Sequence, residues 1–182
     1  MQPDVKTVAV TRTDGGISVV RIIENEYREP NRKEIEEGKT GPQINKHYEI
    51  TPEYVEEIIA KYNWTGDLTP VNWRIVENDY VDETTDRTYR NAWKDVPGRN
   101  KPDHDMVKAR NIHRDHLRKT RIPLLDTLDI EYVRADELND RQMKTTIATQ
   151  KQKLRDVTAD PRIEAAQTIE ELKLLTIEEL TK

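Results

Sequence analysis

The chain has 182 residues and a net charge of -5, and charged residues make up 36% of the sequence. Leu, Ile and Val together supply only 40 positions, and phenylalanine is absent. Hydrophobic residues make up 34% of the chain, against roughly 45–50% in ordinary globular domains, so this composition excludes one large, dense core. The absence of cysteine excludes disulfides, thiolate-bound metals and thiol nucleophiles.

Apolar runs in the sequence are short compared with the roughly 20 residues of a membrane-spanning helix. The N-terminus also lacks the basic region and apolar region of a signal peptide. We therefore expect a protein that is made in the cytoplasm and has no membrane partner.

The first segment of the chain predicts a β-hairpin. Apolar and polar residues alternate over 7–12, a run of β-branched residues follows over 17–23, and Asp14-Gly15-Gly16 lies between them. Glycines at this point supply the positive φ angles that tight hairpin turns need. Residues 25–50 are polar and include two prolines and two glycines, which predicts a long loop or arm.

A helix and a strand are predicted next. Thr51 and Pro52 are typical of the N-cap and the first position of a helix, and apolar side chains recur at helical spacing after them. Residues 71–76 predict a strand that pairs with the hairpin. We therefore expect residues 1–80 to form a small β-rich domain, with an antiparallel sheet covered by one helix. Residues 81–104 are charged and contain two prolines, which predicts a linker.

Residues 105–182 are predicted to form a helical domain. Apolar residues repeat at helical spacing from Met106, and Pro123 is expected to kink or split this helix. A turn over residues 138–140 leads into a second helix that ends near Val157. The simplest arrangement is an antiparallel helical hairpin. We expect six side chains to meet across it: Leu117, Leu125, Leu128, Tyr132, Ile147 and Leu154.

Short terminal helices are predicted after the hairpin. Thr168 and Thr176 each precede a glutamate by three residues, which is the spacing of a capping box. Together with the N-terminal sheet and the helical hairpin, these helices give a predicted fold class of α+β.

Three of the four histidines lie close together in the sequence, at His104, His113 and His116. The last two are three positions apart on a predicted helix, so their rings can share a face and hold a metal with a neighbouring aspartate. This spacing is not a known ligand pattern and lacks an obvious third ligand, so solvated or packed histidines are the preferred interpretation.

Other catalytic arrangements have weaker support. The single serine, Ser18, has no nucleophile context, and the six glycines form no phosphate-binding loop. The abundant carboxylates follow surface-like patterns. We therefore predict a non-enzymatic protein with no catalytic residues, no cofactor and no bound metal.

A dense basic run extends from Lys108 to Arg121. Its cations could contact the phosphates of a nucleic acid, as in a DNA-binding accessory protein. Acidic residues within the run and downstream of it favour a second interpretation, in which the cations pair with carboxylates of this protein or of a neighbouring subunit. The net charge also argues against nucleic acid as a partner.

Arg87, Tyr89, Arg90 and Trp93 are the candidate interface residues. Trp, Tyr and Arg are the residue types enriched at the energetic centres of protein interfaces. Alternatively, Trp93 packs between the two halves of the chain. The two interpretations are compatible if that contact is shared with another subunit.

The stretch Asp86–Trp93 resembles a signature of small proteins encoded by tailed bacteriophages and prophages, Asp-Arg-Thr-Phe-Arg-Asn-Ala-Trp. Tyr89 replaces the phenylalanine and keeps the aromatic ring. Similar residues are found at 13–16, 105–114, 123–129 and 150–161. A shorter likeness, over Leu154–Val157, is to tail-fibre assembly proteins.

The resemblance implies a tail-related role and carries no catalytic residues. We expect a structural protein of the virion in the tail, baseplate or fibre-attachment region, made in the host cytoplasm. Its expected partners are other phage structural proteins, tail or fibre subunits, in several copies or as an oligomer. The alternative is a tail-fibre assembly chaperone that is not retained in the virion, and a DNA- or metal-binding accessory protein is the third hypothesis.

Overall fold

The structure is a computed structural model that describes residues 4–62, 64, 68–81 and 85–182. The chain divides into two compact units, Met1–Asp103 and His104–Lys182. The first unit contains a four-stranded antiparallel sheet with a helix, and the second is mainly helical. The predicted α+β class is therefore confirmed.

The sheet of the first unit consists of β1 (Asp4–Arg12), β2 (Ile17–Arg28), β3 (Gln43–His47) and β4 (Pro70–Val76). The strand order is β3-β2-β1-β4, and every neighbouring pair is antiparallel. The predicted hairpin is confirmed as β1 and β2. Its turn has Gly15 at φ +74°, and the Arg12 amide closes it by donating to the Gly16 carbonyl.

One face of the sheet is covered by helix α2 (Pro52–Lys61). Its predicted start is confirmed, because the Thr51 hydroxyl accepts a hydrogen bond from the Tyr54 amide. The core of this layer contains six aliphatic side chains: Val8, Val10, Val20, Ile22, Val55 and Ile59. Full burial of one such side chain stabilises a fold by roughly 1.5–3 kcal/mol, so this thin layer is enough to hold the helix on the sheet.

The opposite face of the sheet is covered by the segment that follows β4. This second core contains Ala9, Ile17, Val76, Tyr80, Val81 and Trp93. Most of the predicted linker, residues 81–104, therefore belongs to the first unit. Two short strands, β5 (Trp93–Lys94) and β6 (Asp103–His104), pair at its end. Composition hides this layer because a few large rings bury a large area without any helical or strand periodicity.

The predicted arm, residues 25–50, adds a strand to the sheet. β2 continues to Arg28 and pairs there with β3, and a short helix, α1 (Arg32–Glu36), joins the two strands. Hydrogen bonds from Arg28 hold the pKa of Glu34 down at about 2. The sequence hides β3 because it is an edge strand whose side chains are mostly exposed, so no apolar alternation marks it.

The second unit begins with a 32-residue helix, α3 (Met106–Glu137), which packs antiparallel to α4 (Arg141–Asp156). The expected split at Pro123 does not occur, and α3 continues through it. Pro123 is exposed, so the carbonyl that loses its helical partner there can bond to water.

Three short helices complete the second unit: α5 (Pro161–Ala165), α6 (Ile169–Leu174) and α7 (Ile177–Leu180). The predicted caps of the last two are confirmed. Thr168 accepts from the Glu171 amide, and Thr176 accepts from the Glu179 amide.

The core of the second unit is shared between the hairpin and the returning C-terminal segment. Of the six side chains expected to meet across the hairpin, Leu117, Ile147 and Leu154 are buried and the other three are half-buried. His113 is 6% exposed, and its Nε2 donates to the Leu175 carbonyl at 3.1 Å. Burial lowers the pKa of His113, so this contact holds the C-terminal segment with a neutral ring.

Ile147→Ala is expected to lower the free energy of unfolding by about 2–5 kcal/mol, because it leaves a cavity in the hairpin. Ile147 is 1% exposed, whereas the matched control, Ile130, is 56% exposed. Ile130→Ala should change the free energy by no more than about 0.5 kcal/mol. Urea unfolding followed by circular dichroism measures both values. Equal effects of the two substitutions would contradict the packed face assigned to the hairpin.

An arginine-lined candidate binding pocket

A cavity of about 610 Å³ opens on the face of the sheet that carries Trp93. One wall is the β1–β2 hairpin, and the other is the turn over residues 87–93. The described lining contains no acidic residue, but it contains four arginines: Arg12, Arg21, Arg87 and Arg90. We call this cavity the basic pocket.

Arg12 is held in place at the hairpin turn. Its guanidinium pairs with Asp14 at 3.0 Å and donates to the Ile17 carbonyl at 2.7 Å and the Ser18 hydroxyl at 3.1 Å. A side chain at Gly16 would overlap this guanidinium. Arg12 is therefore fixed mainly by contacts within the protein.

Arg87 and Arg90 extend into solvent from the opposite wall. Neither guanidinium has a hydrogen-bond or ion-pair partner in the described part of the chain. The two aromatic residues of the same turn are buried: Tyr89 is 2% exposed and Trp93 is 8% exposed. The four candidate interface residues thus divide into two buried aromatic anchors and two exposed cations, and their role at an interface stays a prediction.

An ion pair holds this turn against the sheet. Arg74 on β4 donates from Nε and Nη2 to the two carboxylate oxygens of Asp95, at 2.7 Å each. The Tyr80 hydroxyl donates to the same carboxylate at 2.8 Å. The hydrogen bonds from Arg74 and Tyr80 hold the pKa of Asp95 below its usual range, and burial raises the pKa of Tyr80.

The described lining of the basic pocket is suited to binding anions. A guanidinium stays protonated at physiological pH, and its fork of donors matches the oxygens of a carboxylate or a phosphate. No histidine, lysine or carboxylate that could exchange a proton belongs to the described lining. The Ser18 hydroxyl contacts Arg12, which cannot act as a base.

The histidines do not contribute to the basic pocket. His113 is buried in the second unit, where it bonds to the Leu175 carbonyl. Within the described ranges, no group of three or more His, Cys, Asp or Glu side chains could hold a metal ion.

Much of the basic run on α3 is engaged within the second unit. Arg110 and Arg114 pair with Glu164, and Arg121 donates to two backbone carbonyls of α4. Arg118 pairs with Asp115 on the same helix. The structure therefore shows the internal pairing that was the second interpretation of this run.

Arg12 and Arg21 are the pocket residues that sequence reasoning missed. Both belong to the predicted hairpin, far along the chain from Arg87 and Arg90. Arg21 interrupts the apolar run of β2 at a position that points away from α2, since Val20 and Ile22 face that helix. A charged residue at this position is the sequence signal for a polar site on the face of the sheet opposite α2.

No protein-family model matches this chain, and no curated protein or solved structure matches it. Among the described helices, none combines the length and the apolar character needed to cross a membrane.

Asp95→Asn is expected to lower the free energy of unfolding by about 1.5–3 kcal/mol near pH 7, because Arg74 and Tyr80 lose a charged acceptor. The folded pKa of Asp95 lies below its unfolded value of about 3.9. The ion pair therefore stabilises the protein above that pH, and this contribution is lost as the pH falls through the folded pKa. Urea unfolding between about pH 7 and pH 3 measures the difference between wild type and variant, which should shrink with acid.

The control for this prediction is Asp115→Asn, which removes a carboxylate whose side chain is 62% exposed. It should change the free energy of unfolding by no more than about 0.5 kcal/mol. A difference between Asp95→Asn and wild type that stays constant from neutral pH to acid would contradict the role of the charged pair.

Trp93→Ala is expected to lower the free energy of unfolding by about 3–5 kcal/mol, because the ring fills the core on the second face of the sheet. Asn91→Ala, an exposed neighbour in the same turn, should change it by no more than about 0.5 kcal/mol. Thermal and urea unfolding measure both. A Trp93→Ala variant as stable as wild type would show that the ring is not part of this core.

Proposed function

We propose that this protein is a non-enzymatic structural component of a bacteriophage particle, located in the tail, baseplate or fibre-attachment region, and that it acts through protein–protein contacts. The observation that carries the proposal is the arrangement of residues 86–93, whose aromatic rings are buried while Arg87 and Arg90 are exposed. Buried rings fix the position of charges that a partner can bind, which is what a contact site needs. The same residues carry the resemblance to tailed-phage proteins.

Exposed apolar side chains on the second unit add support. Ile122, Ile130 and Val133 on α3 are 55%, 56% and 56% exposed. At 100° per residue they fall within an arc of about 80° on the helix surface. Single exposed apolar residues are common, but three on one helix face offer contact area to another subunit. This suits a protein that is present in several copies or in contact with tail or fibre subunits.

The likeness to tail-fibre assembly proteins lies over Leu154–Val157. Leu154 and Val157 are both buried in the second unit, so the likeness concerns residues that pack the helices. An assembly chaperone, made in the host cytoplasm and not retained in the virion, is therefore the alternative outcome of the test below.

Particles purified from a phage that encodes this protein should contain it in a fixed ratio to the known tail proteins, as measured by quantitative mass spectrometry. The double variant Arg87→Ala/Arg90→Ala should reduce its copy number in particles by at least about tenfold, which corresponds to about 1.4 kcal/mol of lost binding. Its free energy of unfolding should stay within about 0.5 kcal/mol of wild type, because both side chains are exposed.

The control is Arg118→Ala/Lys119→Ala, which removes two exposed cations from α3 and should leave the copy number unchanged. If the protein is abundant in infected cells and absent from purified particles, the proposal is wrong and the chaperone is favoured.

A further inference from the structure

Beside the basic pocket, the outer edge of β2 has no partner strand among the described residues. β3 pairs with β2 only over Asn25–Arg28, whereas β1 pairs with its other edge from Ile17 onward. No described strand pairs with the outer edge over residues 17–23. At about 3.3 Å per residue, this edge is roughly 20 Å long.

The hydrogen-bond pattern identifies the backbone groups on this edge. The Arg12 amide donates to the Gly16 carbonyl, and in an antiparallel ladder the residues that bond to the partner strand alternate. The backbone amides and carbonyls of the even-numbered residues at the start of β2 therefore point toward β1. Those of Val19, Arg21 and Ile23 point away from β1, toward the outer edge. On that edge these three residues have no backbone partner in the described chain.

The edge and the basic pocket form one continuous surface. The side chains of Val19 and Arg21 line the pocket, so the same residues supply a pocket wall and free backbone groups. Arg87 and Arg90 line the opposite wall. Among the described residues, Arg12 is the one pocket arginine that pairs with a carboxylate. Arg21 donates to the Val81 carbonyl at 3.5 Å, and Arg87 and Arg90 have no carboxylate partner in that part of the chain.

We infer that the basic pocket and the free edge of β2 bind an extended, acidic segment of a partner protein, which adds as a further strand to the sheet. Its backbone bonds to Val19, Arg21 and Ile23, as in other recognition by strand addition. Its carboxylates project toward the pocket at every second residue, where they meet Arg21, Arg87 and Arg90. The inference rests on the proposed function for the identity of the partner, a neighbouring subunit of the particle.

The charge of the surface selects this occupant over two others. A second copy of this chain is disfavoured as the occupant. Pairing two β2 edges would bring the Arg21 side chains of the two copies together, and like charges on paired strands destabilise the pairing. A nucleic acid is disfavoured because the whole protein carries a net charge of -5 and repels a polyanion outside the pocket. A short acidic strand satisfies the arginines and the free backbone groups at once.

A designed heptapeptide with the sequence Thr-Glu-Val-Glu-Val-Glu-Thr, acetylated, amidated and labelled with fluorescein, tests the inference by fluorescence anisotropy with the full chain. We expect saturable binding that weakens as salt is raised, since the contacts are charged. The peptide with lysine in place of glutamate should bind at least about tenfold more weakly. A peptide N-methylated at alternate amides keeps its charge but loses the strand hydrogen bonds, and it should also bind at least about tenfold more weakly.

A variant of the protein provides the second arm. Arg87→Gln/Arg90→Gln should weaken binding of the glutamate peptide by at least about tenfold, because two of the uncompensated cations are removed. Arg118→Gln/Lys119→Gln makes the same change in net charge on α3 and should leave binding within about twofold of wild type. Circular dichroism and urea unfolding confirm that both variants fold.

Four results overturn the inference: no binding of the glutamate peptide, equal binding of the lysine peptide, full binding of the N-methylated peptide, or complete competition by inorganic phosphate at millimolar concentration. Full binding of the N-methylated peptide would leave only a non-specific charge contact. Complete competition by inorganic phosphate would leave only an anion site. If particles contain the protein but no acidic peptide binds, the proposed function stands and this inference fails. If the peptide binds as expected but particles lack the protein, the pocket chemistry stands and the proposed function fails.

Discussion

Residues 7–10 of β1 are buried on both faces of the sheet, and this burial requires a cover on each side. All four are between 0% and 1% exposed, although successive side chains of a strand point to opposite faces. Helix α2 covers Val8 and Val10. Tyr80, Val81 and Trp93 cover Ala9, and Asn78 accepts a hydrogen bond from the Thr7 hydroxyl at 2.9 Å. The second cover also brings Arg87 and Arg90 beside β2, so the pocket is a consequence of the need to bury this strand twice.

Local patterns predict those elements whose stabilising contacts are themselves local. The hairpin turn at Gly15 and the helix caps at Thr51, Thr168 and Thr176 each involve residues a few positions apart, and the structure confirms them. The edge strand β3 was missed because the backbone ladder, and not an apolar face, holds it to β2. Pro123 was expected to kink or split α3, and the helix is not split there, because its packing on α4 outweighs one lost hydrogen bond on an exposed surface.

The candidate site was half predicted, and the missing half is the part that depends on tertiary structure. Arg87 and Arg90 were identified because their residue type and aromatic neighbours are typical of interfaces. Arg12 and Arg21 were missed, since nothing in the sequence shows that the turn over residues 87–93 packs on the hairpin. The burial of Tyr89 and Trp93 could not be derived from the sequence either. Two aromatic residues four positions apart can lie on an exposed face of a turn or on a buried one.

Within the first unit, the described arginines outside the basic pocket all pair with carboxylates, which sets Arg87 and Arg90 apart. Arg28 pairs with Glu34, and Arg74 pairs with Asp95 through two hydrogen bonds. The chain has 35 acidic residues for 30 lysines and arginines, so carboxylates are not in short supply. Arg87 and Arg90 nevertheless have no such partner among the described residues, although their mutual repulsion and that of Arg21 act against the folded state. Clustered cations that repel one another and have no carboxylate partner among the described residues are the arrangement that the inferred acidic strand would compensate.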